Sequence, residues 1–200
     1  MPVSDDVSDL LQFCSGLEGA LAEVDFTGRS LTDGFGADFL VPGGLPIAHD
    51  GCGNYWVVDV QSGSPDWGPI YYCCHDAPVM LLQAVNLQQF VSELFRRYTP
   101  PHESLIDAVR EDRLFEVWRK NPGVMAASEG MESPDGDIRA FAADLDSGFE
   151  LIDLRDVPIG MGFSWGRYGP RTEVRRFGAK AIFAYRKPEK RSLISKLLGR

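Results

Sequence analysis

Residues 43–60 read "GGLPIAHDGCGNYWVVDV". The pair His49–Asp50 stands just before two glycines and a cysteine, so the stretch poses a choice between an active site and a turn. Neighbouring side chains on an extended backbone point to opposite faces. A catalytic carboxylate must lie within hydrogen-bond reach of its imidazole, a condition that adjacent residues of a strand do not readily meet. Asp50-Gly51 suits a turn better, with Gly51 or Gly53 taking a positive φ. The flanks agree: residues 44–49 form a short extended run, and residues 54–60 are β-branched and aromatic, a strand composition.

Working outward, "WGPIYYCC" (67–74) reads as a second such strand, and "APVMLLQAV" (77–85) contains a third. Asn86 then occupies an N-cap position. Leu87, Phe90, Val91, Leu94 and Phe95 follow at the spacing of one apolar helix face. Pro100 and Pro101 close this unit. A second helix is predicted from near Ser104, with Asp107 at a capping-box spacing, running to just before Pro122. Residues 124–137 read as loop, and a short helix passes through Ile138, Phe141, Ala142 and Leu145. Strand-like runs end the body at 149–154, 162–165, 172–177 and 180–187. Upstream, residues 7–24 carry apolar positions at helical spacing, weakened by Gly16 and Gly19. Strands, then helices, then strands suggest an α+β fold rather than parallel βαβ units.

The chemistry-bearing residues give weak patterns. In "CCHD" (73–76), Cys73 and His75 share one face of a strand, and Cys74 and Asp76 the other. Zinc sites usually show Cys pairs two to four residues apart plus a second pair, which is missing here. A Cys-His nucleophile would need a histidine from elsewhere in the chain. The glycines at 160, 162, 166 and 169 match neither a Rossmann fingerprint nor a P-loop. They read as a connection between strands, with Phe163, Trp165 and Tyr168 as anchors. No catalytic residue, metal or cofactor is expected.

Hydrophobic residues make up 44% of the 200-residue chain, enough for a core. No apolar run reaches the roughly 20 residues that span a membrane. The start, "MPVSDDVSDL", lacks the basic and apolar regions of a secretory signal, and four cysteines are too few for a disulfide scaffold. A cytoplasmic location is expected. The net charge of −9 conceals an asymmetry. Up to residue 95 there are 13 acidic residues and one basic residue, Arg29; from residue 167 onward there are 2 acidic and 11 basic. An acidic body repels nucleic acid and attracts a basic protein partner. The last residues, 187–200, carry Leu193, Ile194, Leu197 and Leu198 among lysines and arginines, as in a basic amphipathic helix able to touch an anionic surface.

The run from Gly44–Ala48, through the glycine turn 51–53, the aromatic strand 54–59, "GPIYYCCH" and the helix 87–95, resembles the SUKH superfamily (the Smi/Knr-type family). The resemblance implies an α+β fold, an antiparallel sheet flanked by helices, and no enzymatic activity. It also implies a protein-binding role, in many members that of an immunity protein that neutralises a toxin, often a nuclease. An intracellular scaffold or regulator of the same family is the alternative. A Cys/His metal-dependent enzyme using His49, Cys52, Cys73, Cys74 and His75 is a more distant one. The expected organisation is one SUKH-like domain over 1–186, with the core pattern at 35–98, a C-terminal α/β extension at 100–186 on the same core, and a basic tail at 187–200. Contact with a basic toxin domain is expected on Asp50, Asp59, Asp66 and Asp76, with Trp56 and Trp67 as apolar anchors.

Overall fold

The computed structural model describes residues 44–60, 67–74, 76–166 and 172–187. Four strands come first: β1 (Gly44–His49), β2 (Tyr55–Asp59), β3 (Ile70–Cys74) and β4 (Val79–Ala84). They form an antiparallel meander, and β7 (Gly162–Phe163) adds to β4, giving the order β1-β2-β3-β4-β7. The β1–β2 register slips between Pro46 and Ala48. Such irregularity is common on an edge strand, where a proline without an N–H is also tolerated. β3 and β4 are buried along their whole length, and their composition shows why. "IYYCC" and "VMLLQA" do not alternate apolar with polar residues, the mark of strands covered on both faces.

Helices cover one face. α1 (Leu87–Tyr98) starts as expected: the Asn86 side chain accepts from the Gln89 N–H at 2.8 Å, a cap worth about 1 kcal/mol. Its buried side is narrower than the apolar stripe in the sequence. Phe90 and Leu94 are buried, whereas Val91 and Phe95 are exposed. Residues 105–120 form the second helical segment, α2 (Leu105–Asp107), a π-helical stretch (Ala108–Arg113) and α3 (Leu114–Lys120). Ser104 caps it through the Ile106 N–H, but Asp107 does not complete a capping box. Glu93 of α1 instead accepts from the Leu105 N–H, the first of the helix, at 2.8 Å, while Asp107 pairs with Arg97. Trp56, Val58, Ile70, Tyr72, Leu81 and Val79 fill the space between sheet and helices with Phe90, Leu94, Ile106, Val109 and Val117. Buried Gln83 spans the layer. It accepts from the Trp56 indole N–H at 3.1 Å and donates to the Leu105 carbonyl at 3.1 Å.

The C-terminal part contributes a second antiparallel sheet, in the order β5-β6-β9-β8. Its strands are β5 (Met125–Ala126), β6 (Phe149–Asp153), β8 (Val174–Arg176) and β9 (Ile182–Arg186). Residues 124–137 are more structured than a loop: besides β5 they hold α4 (Ala127–Gly130), before α5 (Gly136–Ala143). The strand expected at 162–165 shrinks to the two residues of β7. The second sheet faces the side of the first that the helices leave open. Val57, Tyr71, Met80 and Leu82 meet Ile152, Phe163, Phe183 and Tyr185 there. The far side of the second sheet, with Phe149, Leu151, Ile182 and Ala184, is covered by Ile138, Phe141 and Ala142 of α5. The layers therefore run helices, sheet, sheet, helix. This is the expected α+β class with antiparallel sheets, but with two sheets where the sequence suggested one.

Candidate functional site

Hydrogen bonding resolves the stretch at 49–54. Gly51 and Gly53 both have positive φ, at 77° and 88°, and the Gly51 N–H donates to His49 Nδ1 at 3.1 Å. Asp50 turns inward. Its Oδ1 accepts from the N–H groups of Cys52 (2.8 Å) and Asn54 (3.2 Å), and its Oδ2 from Asn54 Nδ2 (2.7 Å) and the Tyr72 hydroxyl (3.2 Å). Partial burial works against ionisation, but the bonds from Asn54, Cys52 and Tyr72 outweigh it and hold this carboxyl below the ordinary aspartate value. A carboxylate so fully satisfied fixes a turn.

The cysteines are equally inward. Cys73 and Cys74 are buried, and burial raises both thiols above their usual range, away from the thiolate that nucleophilic or metal chemistry requires. Cys52 is exposed on the turn. His75 and Cys14 lie outside the described residues. Among the described residues no three of His, Cys, Asp and Glu come together in a way that could hold a metal ion, and no helix is long and apolar enough to cross a membrane.

Of the six residues expected to meet a partner, two lie inside the fold. Trp56 is 0% exposed, in the layer under α1, where its ring lies 5.0 Å from that of Tyr72 and 6.1 Å from that of Phe90. Asp59 is 1% exposed. Its carboxylate binds the Arg176 guanidinium in a two-pronged pair, with Arg176 Nη1 2.9 Å from Oδ1 and Nη2 on Oδ2. Neither offers a surface to another protein; the correction follows from composition, because a strand covered on both faces has no outward side.

The other residues divide between the two ends of the first sheet. The register puts His49 opposite Tyr55, Tyr55 opposite Cys73, and Cys74 opposite Val79. Asp50 and exposed Asp76 therefore share one end. Asp59 is bonded to Gly68 and Pro69, and Ile70 pairs with Ala84, so Trp67 lies at the other end, roughly 25–30 Å away at about 3.3 Å per residue. Asp66, outside the described residues, is joined to Trp67. Trp67 is 48% exposed, with Val60 (36%) and Val85 (55%) on the neighbouring strand ends.

This end also carries ionic links that sequence reading missed. Arg176 donates to the carbonyls of Lys180 and Ala179, closing the turn between β8 and β9. Lys180 pairs with Asp137, and Arg155 pairs with Asp135, Asp137 and Asp153. These residues are 18 to 43 positions apart along the chain in the longer pairs, so no local pattern announces them. The runs "PDGD" and "DLRD" hint at turns alone.

Residues 5–93 match the model of the SMI1 / KNR4 family (SUKH-1). The match takes in β1 to β4 and the first part of α1, the region on which the resemblance rests, and leaves the second sheet outside it. No curated protein and no solved structure matches the chain.

Proposed function

We propose, from the match of residues 5–93 to the SMI1 / KNR4 family (SUKH-1), that this chain is a non-enzymatic protein-binding domain acting in the cytoplasm as an immunity protein, one that captures and neutralises a basic, nuclease-type bacterial toxin. The observation that carries the reading is charge: 13 acidic residues against one basic up to residue 95, across the whole of the matched region. A nuclease presents a cationic cleft to the phosphate backbone of its nucleic-acid substrate. An acidic protein competes for that cleft and is steered towards it.

The test is a titration. The genes flanking this chain's gene are searched for a basic nuclease domain, any such domain is purified, its nuclease activity is followed, and this protein is added; the absence of any such gene counts against the reading. Activity is expected to fall to background near one equivalent. Undiminished activity at tenfold excess overturns the reading.

A further inference from the structure

We propose that the partner docks at the Trp67 end of the two sheets, with Trp67, Val60 and Val85 as its apolar anchor and the carboxylates around Arg155 and Lys180 as its acidic rim. The proposal rests on the reading of a basic protein partner.

Three groups of large apolar side chains are exposed on the described elements: Val91 with Phe95 on α1, Phe115 with Trp118 on α3, and Val60, Trp67 and Val85 at the strand ends. Exposed aromatics suit an interface centre, so apolarity alone does not choose among them. Charge does. Residues 87–120, which carry the first two groups, hold six acidic and six basic residues. Around Phe115 and Trp118 the same helix bears Arg119 and Lys120, and the Arg119 guanidinium lies 5.9 Å from the Phe115 ring centre. A basic partner gains no net attraction there.

At the strand ends carboxylates outnumber cations by one. Asp59 and Arg176 cancel within the interior. The Arg176-bound turn then leads to a cluster in which Asp135, Asp137 and Asp153 pair with Arg155 and Lys180; Arg139 lies beside it on the Ser133 carbonyl, and exposed Asp156 follows Arg155, four carboxylates against three cations. Between Arg29 and Arg96 the chain has no lysine or arginine, so the strands and turns of the first sheet bring no cation to this end. Val60 directly follows β2, Val85 directly follows β4, and Trp67 precedes β3, the strand between them; with adjacent strands about 4.8 Å apart, the three exposed side chains gather at this one end of the sheet. An apolar centre within a polar, charged rim is the usual anatomy of a protein–protein interface.

The experiment measures the affinity of the same basic toxin domain for wild type, Trp67→Ala, Val85→Ser and Trp118→Ala, each checked for an unchanged thermal midpoint. Trp67→Ala is expected to weaken binding about 30-fold or more, Val85→Ser several-fold, and Trp118→Ala less than about twofold. Val85→Ser, on a different strand, keeps the test decisive should Trp67→Ala fail to fold. Both variants binding within twofold of wild type, or Trp118→Ala giving the largest loss, overturns the placement while leaving the immunity reading intact. A wild-type protein that does not bind the domain overturns that reading, and the placement with it.

Discussion

Replacing Arg176 with methionine is expected to destabilise the protein by about 3–5 kcal/mol. The Arg176 and Asp59 side chains are 3% and 2% exposed. Removing the guanidinium leaves a carboxylate buried between two sheets without its counter-charge. It also releases the carbonyls of Ala179 and Lys180, which Arg176 holds in the β8–β9 turn, and a ring contact of 5.5 Å to Phe183. The lone charge dominates the cost. A buried ion pair replaced on both sides by apolar groups is often neutral, whereas one broken on one side is not. Asp59→Leu combined with Arg176→Met should therefore recover most of the loss. Urea denaturation of wild type, both single variants and the double variant closes the cycle. Additive losses, or a single-variant cost below about 1 kcal/mol, would contradict a buried pair joining the sheets.

The second large effect is expected at Gly162. A Cβ placed there would lie 1.8 Å from the Met80 carbonyl oxygen and 2.8 Å from Leu81 Cα. These are backbone atoms of β4, so no side-chain rotation relieves the clash. Gly162→Ala must push β7 off β4, and Phe163 moves with it. Phe163 stacks against Phe183 at 5.9 Å and Tyr185 at 5.5 Å, between the sheets. The expected cost is about 3 kcal/mol or more, at the upper end of overpacking effects. Gly136→Ala is the control: at the start of α5 its added methyl meets only the Arg139 guanidinium, at 3.9 Å, and stability should change by less than about 1 kcal/mol. Equal midpoints for the two variants would show that β7 does not lie against β4 as described.

The first sheet was legible because its signals are local. Residues 43–60 contain both the turn and its flanking strands, and Asn86 stands where the cap of α1 proves to be. The second sheet was less so. Its strands, 149–153, 174–176 and 182–186, read as strands individually, yet nothing in them says that they pair with one another and pack on the open face of the first sheet. The expected contact residues fared unevenly for the same reason. Asp59 looks like any surface aspartate at a strand end until Arg176, 117 positions later, is placed beside it. Asp50 and Trp67 look alike as polar and aromatic punctuation, but the register sends them to opposite ends. Tyr71 stays a structural loose end: its hydroxyl is buried between the sheets without a hydrogen-bond partner among the described residues, and burial beside Asp59 raises its pKa.

The central claim is that this acidic chain captures a basic partner by charge. Its most direct measure is the association rate constant with the basic toxin domain used in the titration at about 20 mM and about 300 mM salt, where the screening length shrinks from roughly 20 Å to roughly 6 Å. Electrostatic steering predicts association at about 10⁷ M⁻¹s⁻¹ or faster at low salt, slowing about tenfold or more at high salt, with dissociation changing far less. An association rate that salt leaves unchanged, or no complex at either concentration, would contradict it.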